Sequence, residues 1–462
     1  MRFTPTLALL LCVGLFAARP NVVLIVADDM GWGDLGCYGS KQNHTPHIDR
    51  LAREGMRFES FYATQAVCTS SRCALLTGCY PNRLGLGGTA LPPASKIGLN
   101  PEEQTLATLL RAAGYRTGIV GKWHLGDHSR FLPPAHGFDE SLIVPYSNDM
   151  WPVGYFVGDT SRQKMYPGLR WIVDGVPFGA IDDWEDMDNL TVMQGFRATK
   201  FIRDNARAGQ PFFLYLATSM PHTPLGASKD FKGKGPTPYA ETLADLDDVV
   251  GYVLAALRDK GVENDTLIVF TSDNGPWLNF GRHAGVTGGF REGKGTTWEG
   301  GVRVPCIVRW PDQVPRGVTT GALAANMDLL PTIVAACEAT GPRRPIDGES
   351  FLPLLRGEKL TAREVFTYYY GDRLEAIRRG RWKLHLPHTY RSYDDMKPAE
   401  HDGAPMKTQQ KEIGFALFDL ESDPGERQDV KDAHPEVVQA LKELAAKERA
   451  RLDAGKRPVG RI

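Results

Sequence analysis

Along the chain, short runs of β-branched and aliphatic residues alternate with longer stretches whose apolar positions recur at helical spacing. Val22-Val23-Leu24-Ile25-Val26 is apolar throughout, as expected of a strand covered on both faces. A helix follows from Pro46 to Glu54. Thr117-Gly118-Ile119-Val120 comes after a helical stretch from Thr105 to Ala113, and Pro211 to Ala217 after one from Val192 to Arg207. Leu267-Ile268-Val269-Phe270 follows the helical pattern Tyr239 to Lys260, and Cys306-Ile307-Val308 continues the series. Buried strands alternating with helices predict an α/β fold, a largely parallel sheet sandwiched by helices.

The pattern changes after about residue 340. Thr340 to Pro345 is rich in breakers, and Phe351 to Arg356 is a short apolar segment. Glu375 to Arg379 and Trp382 to Leu386 read as a hairpin joined by Gly380-Arg381. Phe415 to Leu420 is a further strand, ended by the turn Asp423-Pro424-Gly425, and a charged helix runs from Pro435 to Leu452. These elements predict a smaller antiparallel α+β domain over residues 346–462, after the α/β domain over 19–345. At the start, Arg2 precedes the apolar run Leu7 to Ala17, which ends in small residues. That is the pattern of a secretory signal over residues 1–18, too short for a stable membrane span, and it predicts an exported protein: periplasmic, secreted or lysosomal.

Composition narrows the partners. The 462 residues carry 54 Lys and Arg against 55 Asp and Glu, a net charge of -1, so no broad field draws the chain to nucleic acid or an anionic membrane. Any anion must be recognised locally. Of seven cysteines, the six after the signal (37, 68, 73, 79, 306 and 337) could pair in an oxidising compartment, and their spacing matches no zinc site.

Two predicted strands end in acidic clusters, Asp28-Asp29 and Asp273-Asn274-Gly275. Each alone reads as a turn or cap. Together at strand ends of one sheet they offer oxygen ligands to a hard cation. The segment Cys68-Thr69-Ser70-Ser71-Arg72-Cys73-Ala74-Leu75-Leu76-Thr77-Gly78 carries the sharpest signal. It resembles the signature of type I sulfatases, a Cys, any residue, Pro, Ser, Arg pattern followed by Leu-Thr-Gly. Ser70 departs from it, standing where the pattern has Pro or Ala. The resemblance continues through the metal loop up to Asp34, through Gly121-Lys122-Trp123-His124-Leu125-Gly126, Pro221-His222, and Lys294-Gly295-Thr296-Thr297-Trp298-Glu299-Gly300-Gly301. Pro145-Tyr146-Ser147 is similar to the arylsulfatase A and N-acetylgalactosamine-6-sulfatase branch.

The resemblance implies an alkaline phosphatase-like fold and a sulfuric ester hydrolase. It implies that Cys68 is oxidised by a formylglycine-generating enzyme to formylglycine, whose hydrated aldehyde is the nucleophile. Asp28, Asp29, Asp273 and Asn274, with residue 68, would bind Ca²⁺, with Mg²⁺ the alternative. Arg72 would hold the hydrate, Lys122 and Lys294 the sulfate oxygens, and Ser147 would help hold the site. His222 with Lys294 would protonate the leaving alcohol, and His124 would assist expulsion of sulfate. The implied substrate is a small-molecule or glycan sulfate ester. A sulfated carbohydrate is preferred, with Trp151, Tyr155, Trp171 and Trp184 as candidate stacking residues. Arg378, Arg379, His385, His388 and Arg391 form a basic cluster that either faces the pocket or is a solvated hairpin face. Two other readings remain: a phosphoester or phosphonate monoester hydrolase of the same superfamily, and a non-catalytic sulfated-glycan binder with Cys68 unmodified.

Overall fold

The computed structural model describes residues 19–88, 90–207, 209–358 and 363–462; the secretory segment expected over residues 1–18 lies outside the described residues. Its main sheet has ten strands: β1 (Asn21–Ala27), β2 (Met56–Phe58), β3 (Arg116–Lys122), β4 (Glu140–Val144), β5 (Leu169–Val173), β6 (Val176–Ile181), β7 (Phe212–Ala217), β8 (Thr266–Ser272), β9 (Cys306–Arg309) and β10 (Val318–Thr320). They lie in the order β10-β2-β9-β8-β1-β7-β3-β4-β5-β6. The centre, β8-β1-β7-β3-β4, is parallel throughout. Cys306–Arg309 does not continue that parallel series; it runs antiparallel to β8. Between these two strands the chain makes no helical crossover to the far end of the sheet, only loops with the short helical segments Leu278–His283 and Glu299–Val302, so it re-enters from the end it left.

Strand alternation builds two cores. Val22, Leu24 and Val26 of β1 pack on one face, with Leu75, Leu76, Leu106, Leu110 and Ile333 from the helices Cys68–Thr77, Leu106–Ala112 and Leu329–Ala336. Val23, Ile25 and Ala27 pack on the other, with Ile48, Leu51, Phe201, Leu246 and Val250 from the helices Pro46–Glu54, Leu190–Asn205 and Pro238–Asp259. A strand apolar on both faces is what a sheet covered on both sides requires.

The later part of the chain forms a four-stranded antiparallel sheet of β11 (Val365–Tyr370), β12 (Arg373–Arg379), β13 (Trp382–His385) and β16 (Ala416–Asp419). The helix Pro435–Ala454 covers it through Leu441, Ala445 and Leu452. A separate hairpin, β14 (His388–Ser392) with β15 (Gln409–Ile413), reaches toward the first sheet. Cys37, Cys68, Cys73, Cys79, Cys306 and Cys337 are all free, so the pairing considered for them is not formed; five of the six are buried, and Cys73, Cys306 and Cys337 among them fill space as small apolar side chains.

Candidate active site

Each of the five central parallel strands delivers a candidate residue just beyond its carboxyl end. Asp28 and Asp29 follow β1, Asp273 and Asn274 follow β8, and His222 follows β7. Lys122 closes β3 and is followed by His124, while Ser147 follows β4. This is where an open parallel sheet leaves room for a ligand. Cys68 opens the wholly buried helix Cys68–Thr77, and Arg72 lies one turn on along the same face. Lys294 arrives from the loop after β8. Asp29 and His124 have left-handed backbones, φ 62° and 59°, a strain that the surrounding hydrogen bonds hold in place.

The side chains form one connected set. Lys122 Nζ lies 2.5 Å from Asp28 Oδ2 and donates to Ser147 Oγ at 3.2 Å. Ser147 Oγ lies 3.2 Å from His222 Nε2. Lys294 Nζ lies 2.7 Å from Asp29 Oδ1 and 3.4 Å from Cys68 Sγ. Arg72 Nε donates to Asp273 Oδ2 at 2.9 Å, and its Nη1 to the Lys122 carbonyl at 3.2 Å. Asn274 Nδ2 donates to Asp29 Oδ1 at 2.7 Å. Cys68 Sγ stands 3.6 Å from Asp28 Oδ1. Asp28, Asp29, Cys68, Arg72, Lys122, Ser147, His222, Asp273, Asn274 and Lys294 are thus brought together and buried, and His124, also buried, lines the same cavity.

Three carboxylates face three cations, and their titration follows. Burial works most strongly against the charge of Asp28, but Lys122, His222, Arg72 and Lys294 together outweigh it and hold the carboxyl well below the usual range. Burial pushes Asp29 up to about 7, with Asp28 and Asp273 adding to the rise. Burial also pushes the Cys68 thiol up to about 12 and keeps His222 and His124 well below the ordinary histidine value, with Lys294 and Lys122 respectively contributing next. His222 Nδ1 donates to the Thr223 carbonyl at 2.5 Å, which fixes its tautomer. His124 donates from Nε2 to the Leu91 carbonyl at 3.1 Å, while its buried Nδ1 has no partner among the described residues.

Ser70 fits its position. Its hydroxyl donates to the Leu86 carbonyl at 2.7 Å and accepts from Gly88 N at 3.2 Å, pinning a loop that lines the cavity.

The cavity holds about 200 Å³ over Cys68, His124, Ser147, His222 and Lys294. Its outer wall is Asp149, Met150, Trp277, Tyr370 and Arg391. Of the candidate stacking aromatics, none lines it. Trp151 is fully buried and donates to the Ile181 carbonyl, Trp184 packs edge-on against Trp151, Trp171 sits in the core, and Tyr155 packs on Phe280 under Arg162. The basic cluster is likewise dispersed. Arg378 bonds Tyr62, His385 and His388 are buried near Glu426 and Glu375, and Arg379 is exposed beside Glu364; Arg391 alone of the five lines the cavity. Trp277, three residues past Asn274, went unnoticed in the sequence, although its position beyond a strand-end motif was a usable signal.

Among known proteins, a family model described as Sulfatase matches residues 20–339, and one described as the C-terminal region of aryl-sulfatase matches residues 361–462. Arylsulfatase A of Bos taurus is 40% identical, covering 95% of this chain and 90% of its own. N-acetylgalactosamine-6-sulfatase of Canis lupus familiaris is 37% identical over 92% and 84%. The crystal structure of the PsFucS1 sulfatase from Pseudoalteromonas sp. superposes with a TM-score of 0.83 at 28% identity, covering 96% of this chain and 92% of that one. The fold and these matches define an alkaline phosphatase-like hydrolase, and the chain belongs to the sulfatase family. Its chemistry is hydrolysis of sulfate esters.

Proposed function

We propose that this chain removes sulfate from a sulfated carbohydrate, and from aryl sulfates, using residue 68 after a maturation enzyme has converted it from cysteine to formylglycine. Asp28, Asp29, Asp273, Asn274 and the oxygen of residue 68 would hold one Ca²⁺, with Mg²⁺ the alternative. The observation that carries this reading is the convergence of Lys122, Lys294, Ser147 and His222 on Cys68 at the strand ends. The donor set suits a hard cation, being carboxylate and amide oxygens, and the buried Asn274 Oδ1 has no hydrogen-bond partner. His222 Nε2 lies 3.5 Å from Asp29 Oδ2 and, with Nδ1 donating to Thr223, carries the ring's lone pair, but a hard cation prefers the carboxylate and amide oxygens. A divalent ion there would favour the deprotonated nucleophile and polarise a sulfate oxygen.

The protein's own groups supply the rest. Lys122 and Lys294 bind sulfate oxygens as point charges in a buried site, where such contacts are strong. Because Nδ1 of His222 is tied to Thr223, protonation of the leaving alcohol from Nε2 requires the imidazolium, a form that the bound sulfate's negative charge favours. His124 keeps its Nδ1 lone pair free within the cavity wall, a base for the proton released beside residue 68. Export follows from the apolar N-terminal run, and no helix among the described residues is long and apolar enough to cross a membrane.

The test is mass spectrometry of the tryptic peptide Phe58 to Arg72 from protein made in its native host, with turnover of 4-nitrophenyl sulfate and 4-nitrophenyl phosphate. The expected result is formylglycine at residue 68, sulfate favoured over phosphate, and loss of turnover on chelation that Ca²⁺ restores. Unmodified cysteine in all the material would end the formylglycine reading. Faster cleavage of the phosphate would move the reading to a phosphoester hydrolase.

A further inference from the structure

The outer wall of the cavity carries a cation that sulfate cleavage does not use. Arg391 lies on β14, opposite Gln410 of β15. Strand alternation sends Tyr390 and Ser392 into buried positions and leaves Arg391 half-buried on the cavity side. The neighbouring Gly295 keeps this guanidinium open. A Cβ there would stand 3.3 Å from Arg391 Nη1 and 3.8 Å from the Tyr370 hydroxyl, and φ of 80° disfavours a side chain in any case.

Among the described residues Arg391 also has no acid paired with it. The groups acting on its charge are the phenols Tyr393 and Tyr370, with no carboxylate among them. Other arginines of this part of the chain are paired: Arg373 with Glu375 at 2.5 Å, Arg381 with Asp419, and Arg363 with Asp328 at 2.5 Å. A half-buried guanidinium with phenols but no anion beside it is costly unless a ligand supplies the charge. The sulfate being cleaved is claimed at the inner end by Lys122 and Lys294. What remains for Arg391 is an anion on the other side of the scissile bond. Trp277 adds an aromatic ring to this wall and a buried indole N–H with no partner among the described residues.

We propose that Arg391, with the Tyr370 hydroxyl, binds an anionic substituent, a carboxylate or a second sulfate, on the sugar alcohol that leaves. The substrate is then a sulfated sugar bearing a further negative charge. This rests on the sulfatase reading above. Bidentate, charge-assisted contact by arginine is the chemistry that recognises either group.

The experiment compares kcat/KM of the native-host enzyme, Arg391→Gln and Arg391→Lys on 4-nitrophenyl sulfate, a hexose monosulfate, a hexuronic acid monosulfate and a hexose disulfate. Wild type is expected to prefer one of the two doubly charged sugars, and which one it prefers identifies the anion. Arg391→Gln is expected to lose about 10- to 100-fold on that sugar, mainly through KM, and several-fold less on the hexose monosulfate and the aryl sulfate. Arg391→Lys should recover part of the loss, because it restores the charge without the fork. Turnover with no preference for the second charge, or an equal loss by Arg391→Gln on all four compounds, overturns this inference and leaves the sulfatase reading standing. No turnover of any of the four by wild type overturns both.

Discussion

Asp34 accepts three hydrogen bonds at once, from Gly31 N at 2.7 Å, Val286 N at 2.8 Å and the Tyr239 hydroxyl at 2.5 Å. It thereby locks the loop that carries Asp28 and Asp29 against the segment 284–288. Burial pushes its carboxyl from 3.8 up to about 7, while Tyr239 and the two amides pull the other way. The folded state therefore binds more protons than the unfolded chain between these values. Stability contributed by the protonated group is complete below about pH 4 and is lost as pH rises through about 7. Asparagine cannot titrate and presents an NH₂ to a site full of donors. Asp34→Asn should thus destabilise, with a penalty largest near pH 4 and shrinking toward pH 7. Melting temperatures of both proteins across this range check it, and a penalty that grew with pH would refute the assignment. The motif residues could be read from the chain because their ordered blocks resemble those of sulfatases, whereas Asp34 was visible only as the last residue of the metal loop, with nothing to reveal its partners Val286 and Tyr239. Arg391, Tyr370 and Trp277 could not be found as one wall. They lie far apart in sequence and meet only through packing of the later sheet on the first, and a lone arginine on a hairpin looks the same whether or not an acid waits beside it.

At the level of elements, apolar run length was a reliable guide where both faces are buried. Asn21–Ala27, Thr266–Ser272 and the helix Pro46–Glu54 agree with their predicted spans to within one or two residues. It failed where one face is open. Val176–Ile181 is exposed at five of its six positions, and Pro177 and Gly179 interrupt its apolar residues, yet it extends the main sheet as an edge. Direction was also illegible for Cys306–Arg309, since a strand's apolar pattern is the same whichever way it runs. Gly121 shows a subtler limit. Its glycine is visible in the sequence, but the reason is the approach of β7: a Cβ would stand 1.9 Å from the Ala217 carbonyl oxygen, and φ is 110°. That close contact sets the position of Lys122, the next residue, so backbone packing between strands fixes a candidate sulfate ligand.

Over the whole molecule, the later sheet is joined to the first through a buried charge network rather than apolar contact alone. Lys383 on β13 lies 3.1 Å from Glu299 Oε1 and 2.7 Å from Glu426 Oε1, and donates to the Thr297 carbonyl at 2.8 Å. Glu426 accepts from the Glu299 amide at 2.7 Å, and the Tyr62 hydroxyl donates to Glu299 at 2.5 Å. Burial opposes the charge of Glu299, but Lys383, Arg303 and Arg378 hold its carboxyl down at about 2. The network grips residues 297–299, immediately after Lys294, so it braces the loop that brings Lys294 to Cys68. Lys383→Met should leave two facing carboxylates short of their shared cation, at a cost of about 3–5 kcal/mol. Sulfate ester turnover should fall with it, because the Lys294 loop loses its anchor. Adding Glu426→Gln removes one of the two stranded charges, so the double variant should melt above Lys383→Met while remaining below wild type. Calorimetric melting of the three proteins decides the matter. If Lys383→Met melts with wild type, the network does not carry the junction; if the double variant melts lowest, the cost lies in lost hydrogen bonds rather than in unpaired charge.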